Sequence, residues 1–255
     1  MEERQMRILD FVKEMKEKAT KGLLEVSGNG KFTERVHKFK IGEAQIITIR
    51  GGAIEKAAIS HLTIKGVKMP DTDLEVDPMV YQMEVFPQNP YCPMGHFNAE
   101  WIIGKPDSYH MNLDLFPAVK VEEDMDTMRG IMDGIADKFG RDKDKMREGL
   151  DVQYNMEHWS FPLATKVGCK FAELKESDLD LFITAYHTFF DAYLDILRKR
   201  KDAKFTEDEV RLKHERNGKW LEYIAFKDGA VKMAQAYGMP TEMLTSVTFP
   251  PSVVF

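Results

Sequence analysis

The stretch from Met79 to Pro117 leaves the fewest folds open to this chain. Tyr81, Met83 and Val85 alternate with Gln82 and Glu84, the period of two that gives a strand two unlike faces. Phe86-Pro87 interrupts the pattern, and residues 87–95 carry three prolines and a glycine, so they form an ordered corner rather than a ladder. A second strand follows, with Phe97, Ala99, Trp101 and Ile103 on one side and Asn98 and Glu100 on the other. Gly104-Lys105-Pro106-Asp107 turns the chain into a third, where Tyr109, Met111, Leu113 and Leu115 oppose His110, Asn112 and Asp114. Antiparallel pairing gathers Gln82, Glu84, Asn98, Glu100, His110, Asn112 and Asp114 on one polar face. Such a face is either solvent or a site.

A sheet with one solvated face gives the same alternation. Two features lean toward a site. Histidine, asparagine and aspartate are depleted in ordinary strands, and the later half of the chain supplies amphipathic helices that must cover something.

Residues 3–25 repeat Ile8, Phe11, Val12, Met15 and Ala19 at helical spacing. Ser27-Gly28-Asn29-Gly30 ends that helix, and alternating segments follow near 32–39, 43–50 and 55–64. A second helix is predicted over 123–139 and a third over the charged 141–149. A strand at Val167–Leu174 precedes the clearest helix, capped at Ser177 and carrying a stripe from Leu179 to Leu197. It ends in Arg198-Lys199-Arg200-Lys201, which suits the negative end of a helix dipole. Thr206-Glu207-Asp208-Glu209 is a capping box opening a short helix. Trp220–Phe226 reads as a last strand, and the rest is helical to Pro250-Pro251. The expectation is an α+β fold: one domain over 1–255, a three-layer α/β/α sandwich around a largely antiparallel sheet.

Composition removes several function classes. A net charge of -6 is unlike a nucleic-acid binder, which shows a basic excess or stripe. Cys92 and Cys169 are the only cysteines, so neither a disulfide framework nor a zinc ribbon is on offer, and a reducing cytoplasm fits. No apolar run approaches a membrane span, which predicts a soluble protein without a membrane partner.

No Gly-rich phosphate loop follows a strand, and no nucleophile elbow or HExxH occurs. His96, His110 and Asp114 have a spacing that fits no standard metal-ligand pattern, so no metal is expected. Asp228, between Lys227 and Gly229, has two readings: an N-cap carboxylate, or an acid delivering protons into the space between sheet and C-terminal helices.

The run Val85-Phe86-Pro87-Gln88-Asn89-Pro90-Tyr91-Cys92-Pro93-Met94-Gly95, the Asp114-Leu115-Phe116-Pro117 closing the third strand, and Asp228 ahead of a helix ending in Tyr237-Gly238 resemble the ferredoxin-dependent bilin reductases. The chain is also similar to oxygen-dependent coproporphyrinogen oxidase, a fold relative. That likeness rests on Asn89-Pro90-Tyr91-Cys92-Pro93 with His96-Phe97-Asn98, on Gly51-Gly52-Ala53-Ile54-Glu55-Lys56-Ala57-Ala58-Ile59-Ser60, and on Thr241-Glu242 ahead of Pro250-Pro251. The common order of these motifs spans about residue 30 to the end.

Three departures separate the two. The oxidase pattern has arginine where this chain has Glu100, a glycine run where it has His110-Met111-Asn112, and arginine where it has Gly229. A porphyrinogen with several propionates needs such cations. The reductase resemblance therefore leads, and it implies reduction of a biliverdin-type linear tetrapyrrole by sequential electrons and protons, with no tightly bound cofactor and with reduced ferredoxin as partner. The oxidase activity, or a tetrapyrrole carrier or sensor without turnover, stays as the alternative. The implied catalytic residues are Asp228 as proton donor, Asn98 where family members carry Asp or Asn, and Asp114 in the proton relay. Ser60, Gln82, Glu84, His96, His110 and Asn112 are the expected substrate contacts; Gln82 replaces a histidine that some members use, and Ser60 lies near a position where some have an acid. Arg198 to Lys204 is a candidate ferredoxin dock, with a solvated helix end as its plainer reading.

Overall fold

The computed structural model describes residues 3–68, 75–103, 107–236 and 238–255, without the Glu173 side chain. The expected turn at 104–106 and Tyr237 lie outside the described residues. Helix α1 (Glu3–Ser27) leads into β1 (Lys31–Phe39), β2 (Gly42–Gly51), β3 (Ile54–Ile64), the two-residue β4 (Val67–Lys68), β5 (Glu75–Pro87), β6 (Met94–Ile103) and β7 (Ser108–Phe116). Next come α2 (Glu122–Lys138), α3 (Leu150–Gln153), β8 (Cys169–Leu174), α4 (Leu179–Arg200), α5 (Glu207–Phe226), α6 (Gly229–Ala236) and α7 (Thr241–Thr248). Every strand pair is antiparallel, in the order β1-β2-β3-β5-β6-β7-β8 with β4 added on β5. From β1 to β7 this meander follows from short connections, which only antiparallel neighbours can use, and β8 returns beside β7 after α2 and α3.

The alternation read from the sequence separates two cores. Tyr81, Met83, Val85, Phe97, Trp101, Met111 and Leu113 pack with α1, α2 and α4. Ala44, Ile46, Ala58, Phe86, Met94 and Phe116, on the opposite face, pack with α5, α6 and α7. The result is the expected α/β/α sandwich.

The Pro-rich corner is clamped to the end of α4. Asn89 Nδ2 donates to the carbonyls of Ala203 (2.7 Å) and Lys201 (3.2 Å), and the Tyr193 hydroxyl donates to that of Pro93 at 2.9 Å. Gly95 sits so close beneath that a Cβ there would come within 2.7 Å of the Phe97 ring and 2.8 Å of Tyr193.

Four local expectations are corrected. Trp220–Phe226 is helical: α5 runs unbroken from the capping box at Thr206, where the Glu209 amide donates to the Thr206 hydroxyl, and buries Lys213, Asn217, Trp220 and Ile224 at helical spacing. The helix opened by that box is therefore 20 residues long, not short. Residues 141–149 hold only a 3₁₀ turn at Lys145–Arg147, because Gly140 (φ 62°) and Gly149 (φ 77°) break the backbone on both sides. Ser177 lies inside a 3₁₀ turn (Glu176–Asp178) rather than capping α4. The basic run after α4 is occupied by acids: Arg198 pairs with Glu25 and Asp195, Lys199 and Arg200 with Glu123 and Asp124, and Lys201 with Asp202. It ties α4 to α2.

Candidate functional site

Strand register sets the polar face in three rows. Ser60, Gln82, Asn98 and Asn112 stand side by side across β3, β5, β6 and β7. One row toward the Pro-rich corner lie Ala58, Glu84, His96 and Asp114; one row the other way lie Leu62, Val80, Glu100 and His110. Above this floor α5 contributes Tyr223 and Ile224, α6 contributes Val231 and Ala234, and α7 contributes Met243, Leu244, Val247 and Thr248. Between them is a cavity of about 470 Å³, lined also by Gln153, Tyr154 and Asp228. Pockets of a few hundred to 1,000 Å³ are the size that takes a cofactor-sized organic ligand.

Of the residues singled out in the sequence, Ser60, Gln82, His96, Asn98, Asn112 and Asp228 line the cavity. Glu84 lies beneath it, fully buried, with Oε1 accepting from Gln82 Nε2 at 2.9 Å and lying 2.7 Å from His96 Nδ1. Burial works against a charged His96, but Glu84 at hydrogen-bonding distance outweighs it, with help from Asp228 and Asp114, and the imidazole is raised above its ordinary value. Rings box it in: Tyr154 and Trp220 each have centroids 5.3 Å away, and Phe116 stacks at 6.0 Å.

Asp228 keeps both of its readings in one geometry. Its Oδ1 accepts from the Val231 amide at 2.7 Å, capping the start of α6, while the residue lines the cavity, where burial first and then Asp228 push the Tyr223 phenol up.

Asp114 and His110 do not reach the cavity. Asp114 is fully buried and holds the loop before β8: Oδ2 accepts from the Lys166 amide (2.9 Å), and Oδ1 accepts from the Val167 amide and the Thr165 hydroxyl (both 3.1 Å). Burial pushes its carboxyl up and these donors pull it back, with a net rise. His110 pairs across the sheet with Glu100, and its Nε2 lies 3.3 Å from Ser108 Oγ. Position on the polar face thus located the right layer, but not how far across each row the helices cover.

Sequence reasoning missed Gln153, Tyr154 and Tyr223. The first two lie at the end of the four-residue α3, too short for a periodicity to mark it; Tyr223 was hidden by the strand assignment over 220–226. Burial raises the Tyr154 phenol far above its ordinary value, and its hydroxyl has no hydrogen-bond partner among the described residues. No Lys or Arg lines the cavity among the described residues, and no three His, Cys, Asp or Glu converge there on a common point for a metal. No described helix is long and apolar enough to cross a membrane.

Fold and cavity define an antiparallel α/β/α sandwich with a ligand-sized chamber under its C-terminal helices. The chain belongs to the coproporphyrinogen III oxidase family, whose model matches residues 7–254. It is similar to the oxygen-dependent coproporphyrinogen-III oxidase of Coxiella burnetii (strain Dugway 5J108-111), at 22% identity over 268 residues covering 96% of this chain and 86% of that protein. The enzyme of strain RSA 331 is 23% identical over 234 residues, 84% of this chain and 74% of its own length. Among solved structures, phytochromobilin synthase from tomato, in complex with biliverdin, aligns over 93% of this chain and 78% of its own at 12% identity and a TM-score of 0.49. That likeness is too loose to bear on function. The family placed second by the sequence motifs is the one established, and the protein is a tetrapyrrole-related oxidoreductase by that membership.

Proposed function

We propose that the protein binds a tetrapyrrole in this cavity and reduces a linear, biliverdin-type bilin with single electrons from a ferredoxin. The observation that carries the reading is the buried Glu84–His96 pair under the chamber floor, with Asp228 on its wall. Reduction of one double bond adds two electrons and two protons, and each electron leaves a radical anion that protonation must quench. His96, its Nδ1 taken by Glu84, offers Nε2 as one donor. Asp228, on the cavity wall with Tyr223, is the second. Asn98 does not titrate and orients the ligand, and Asp114 acts through the loop it holds rather than in the relay. The residues present supply no flavin or nicotinamide motif, so the electrons come from outside.

A second reading, oxidation of coproporphyrinogen III by dioxygen, is favoured by the family match over residues 7–254. Two assays separate the readings: anaerobic turnover of biliverdin with reduced ferredoxin, and aerobic turnover of coproporphyrinogen III. Bilin reduction in the first supports the proposal, and porphyrin formation in the second alone replaces it with the oxidase. A bilin bound but spectrally unchanged identifies a carrier. If neither biliverdin nor haem perturbs the spectrum at micromolar concentration, the ligand class is wrong.

A further inference from the structure

The side-chain amides of the cavity floor are turned by the carboxylates beside them. A carboxylate accepts only, so the amide facing it must present NH₂. Gln82 Nε2 donates to Glu84 (2.9 Å) and Asn98 Nδ2 donates to Glu100 Oε1 (2.7 Å). Both amides thereby keep their carbonyl oxygens for other partners. The neighbouring Asn112 Oδ1 is buried with no hydrogen-bond partner among the described residues. Glu100 itself lines the chamber, with Asp228 on the wall, and no described Lys or Arg lines it to offset them. His96 Nδ1 is engaged by Glu84 Oε1 at 2.7 Å, so a proton held there is already balanced.

From this we infer that the floor is an acceptor surface that reads its ligand by N–H donors, with Glu100 as the specificity-determining residue that keeps carboxylate substituents outside. The inference rests on the tetrapyrrole reading above and names the substrate class within it: a metal-free tetrapyrrole whose pyrrole N–H groups face the sheet and whose propionates lie at the mouth. A linear bilin has this form. Haem has no N–H to give, and a tetracarboxylic macrocycle cannot turn every propionate away from Glu100.

Absorbance titrations of biliverdin, biliverdin dimethyl ester, haem and coproporphyrin III test it on wild type and Glu100→Gln. Wild type binds biliverdin and its ester within about threefold of each other, and haem and coproporphyrin III at least about tenfold more weakly, the scale of one charge-assisted hydrogen bond. Glu100→Gln weakens biliverdin about tenfold and strengthens coproporphyrin III, because the acceptor charge is lost while its shape is kept. Equal shifts for both ligands, or none, overturn the role of Glu100. If the variant fails to fold, the wild-type ranking decides: coproporphyrin III or haem binding as tightly as biliverdin refutes the acceptor floor. No tetrapyrrole binding to wild type removes the underlying reading and the inference with it.

Discussion

Lys56 offers the sharpest test of how the chamber roof is held. It is 2% exposed, on the cavity side of β3, and its Nζ donates to the carbonyls of Phe249 (2.5 Å) and Thr245 (3.1 Å) where α7 ends. Burial, with Arg50 nearby, lowers its pKa from 10.5 to about 7. The folded state therefore releases this proton near neutrality, while the unfolded chain holds it up to about pH 10.5. Between those values the unfolded state binds more protons, so stability rises with pH. From pH 7 to 9 the full linkage expression gives a gain of about 2 kcal/mol, given a value of about 1.4 kcal/mol per pKa unit. For a chain of this size that is a rise of about 4–8 °C in melting temperature. The assay is urea unfolding of wild type and Lys56→Met at pH 7, 8 and 9, taking the difference of the two slopes so that groups common to both cancel. Lys56→Met lowers stability at every pH, since two carbonyls lose their donor, and removes the upward contribution. Parallel slopes for the two proteins would refute the argument that burial controls Lys56.

Three further outcomes follow from the site. Glu84→Gln removes the anion holding the His96 imidazolium; wild type gains stability from that pair below the ordinary histidine value of 6.5 and loses it as pH rises through the raised folded value, and the variant flattens this part of the profile in thermal melts from pH 5.5 to 8.5. Asp114→Asn puts an NH₂ against the Lys166 or Val167 amide and loses at least one charge-assisted bond, costing about 2–3 kcal/mol in urea unfolding. Because Lys166 is held at φ 58°, Lys166→Gly recovers about 0.5–1 kcal/mol in that background, and an unchanged midpoint for Asp114→Asn contradicts the anchoring role. Asp228→Asn keeps a cap oxygen for Val231, so folding persists, while anaerobic bilin turnover stalls at a radical; undiminished product formation would return Asp228 to capping alone.

Much of the fold was legible because it is local. The period of two between Tyr81 and Leu115 sorts side chains to two faces whatever the rest of the chain does, and turns too short for crossovers force antiparallel order. Where a signal was read against its surroundings it failed. Trp220–Phe226 is a short, largely apolar and aromatic run of the kind strands favour, but the capping box at Thr206 had already started a helix that nothing before Phe226 stops. Residues 141–149 are charged like a helix surface, yet the glycines at both ends take positive φ and leave a single turn.

By itself the sequence determined the polar face and its members and the presence of amphipathic helices to cover it; that Asp228 lies between two helices, α5 and α6, came only from the structure, because 220–226 reads as a strand. Only the tertiary structure decided which members work together. Register is a long-range property: it put Glu84 against His96 and set Ser60, Gln82, Asn98 and Asn112 side by side, while the helices closing over the sheet left His110 on β7 outside the chamber that its cross-strand partner Glu100 lines. Asp114 shows the limit most plainly. Its strand position matches that of a site residue, but its three donors come from residues 165–167, about fifty positions later in the chain, and no periodicity near Asp114 encodes where that loop returns.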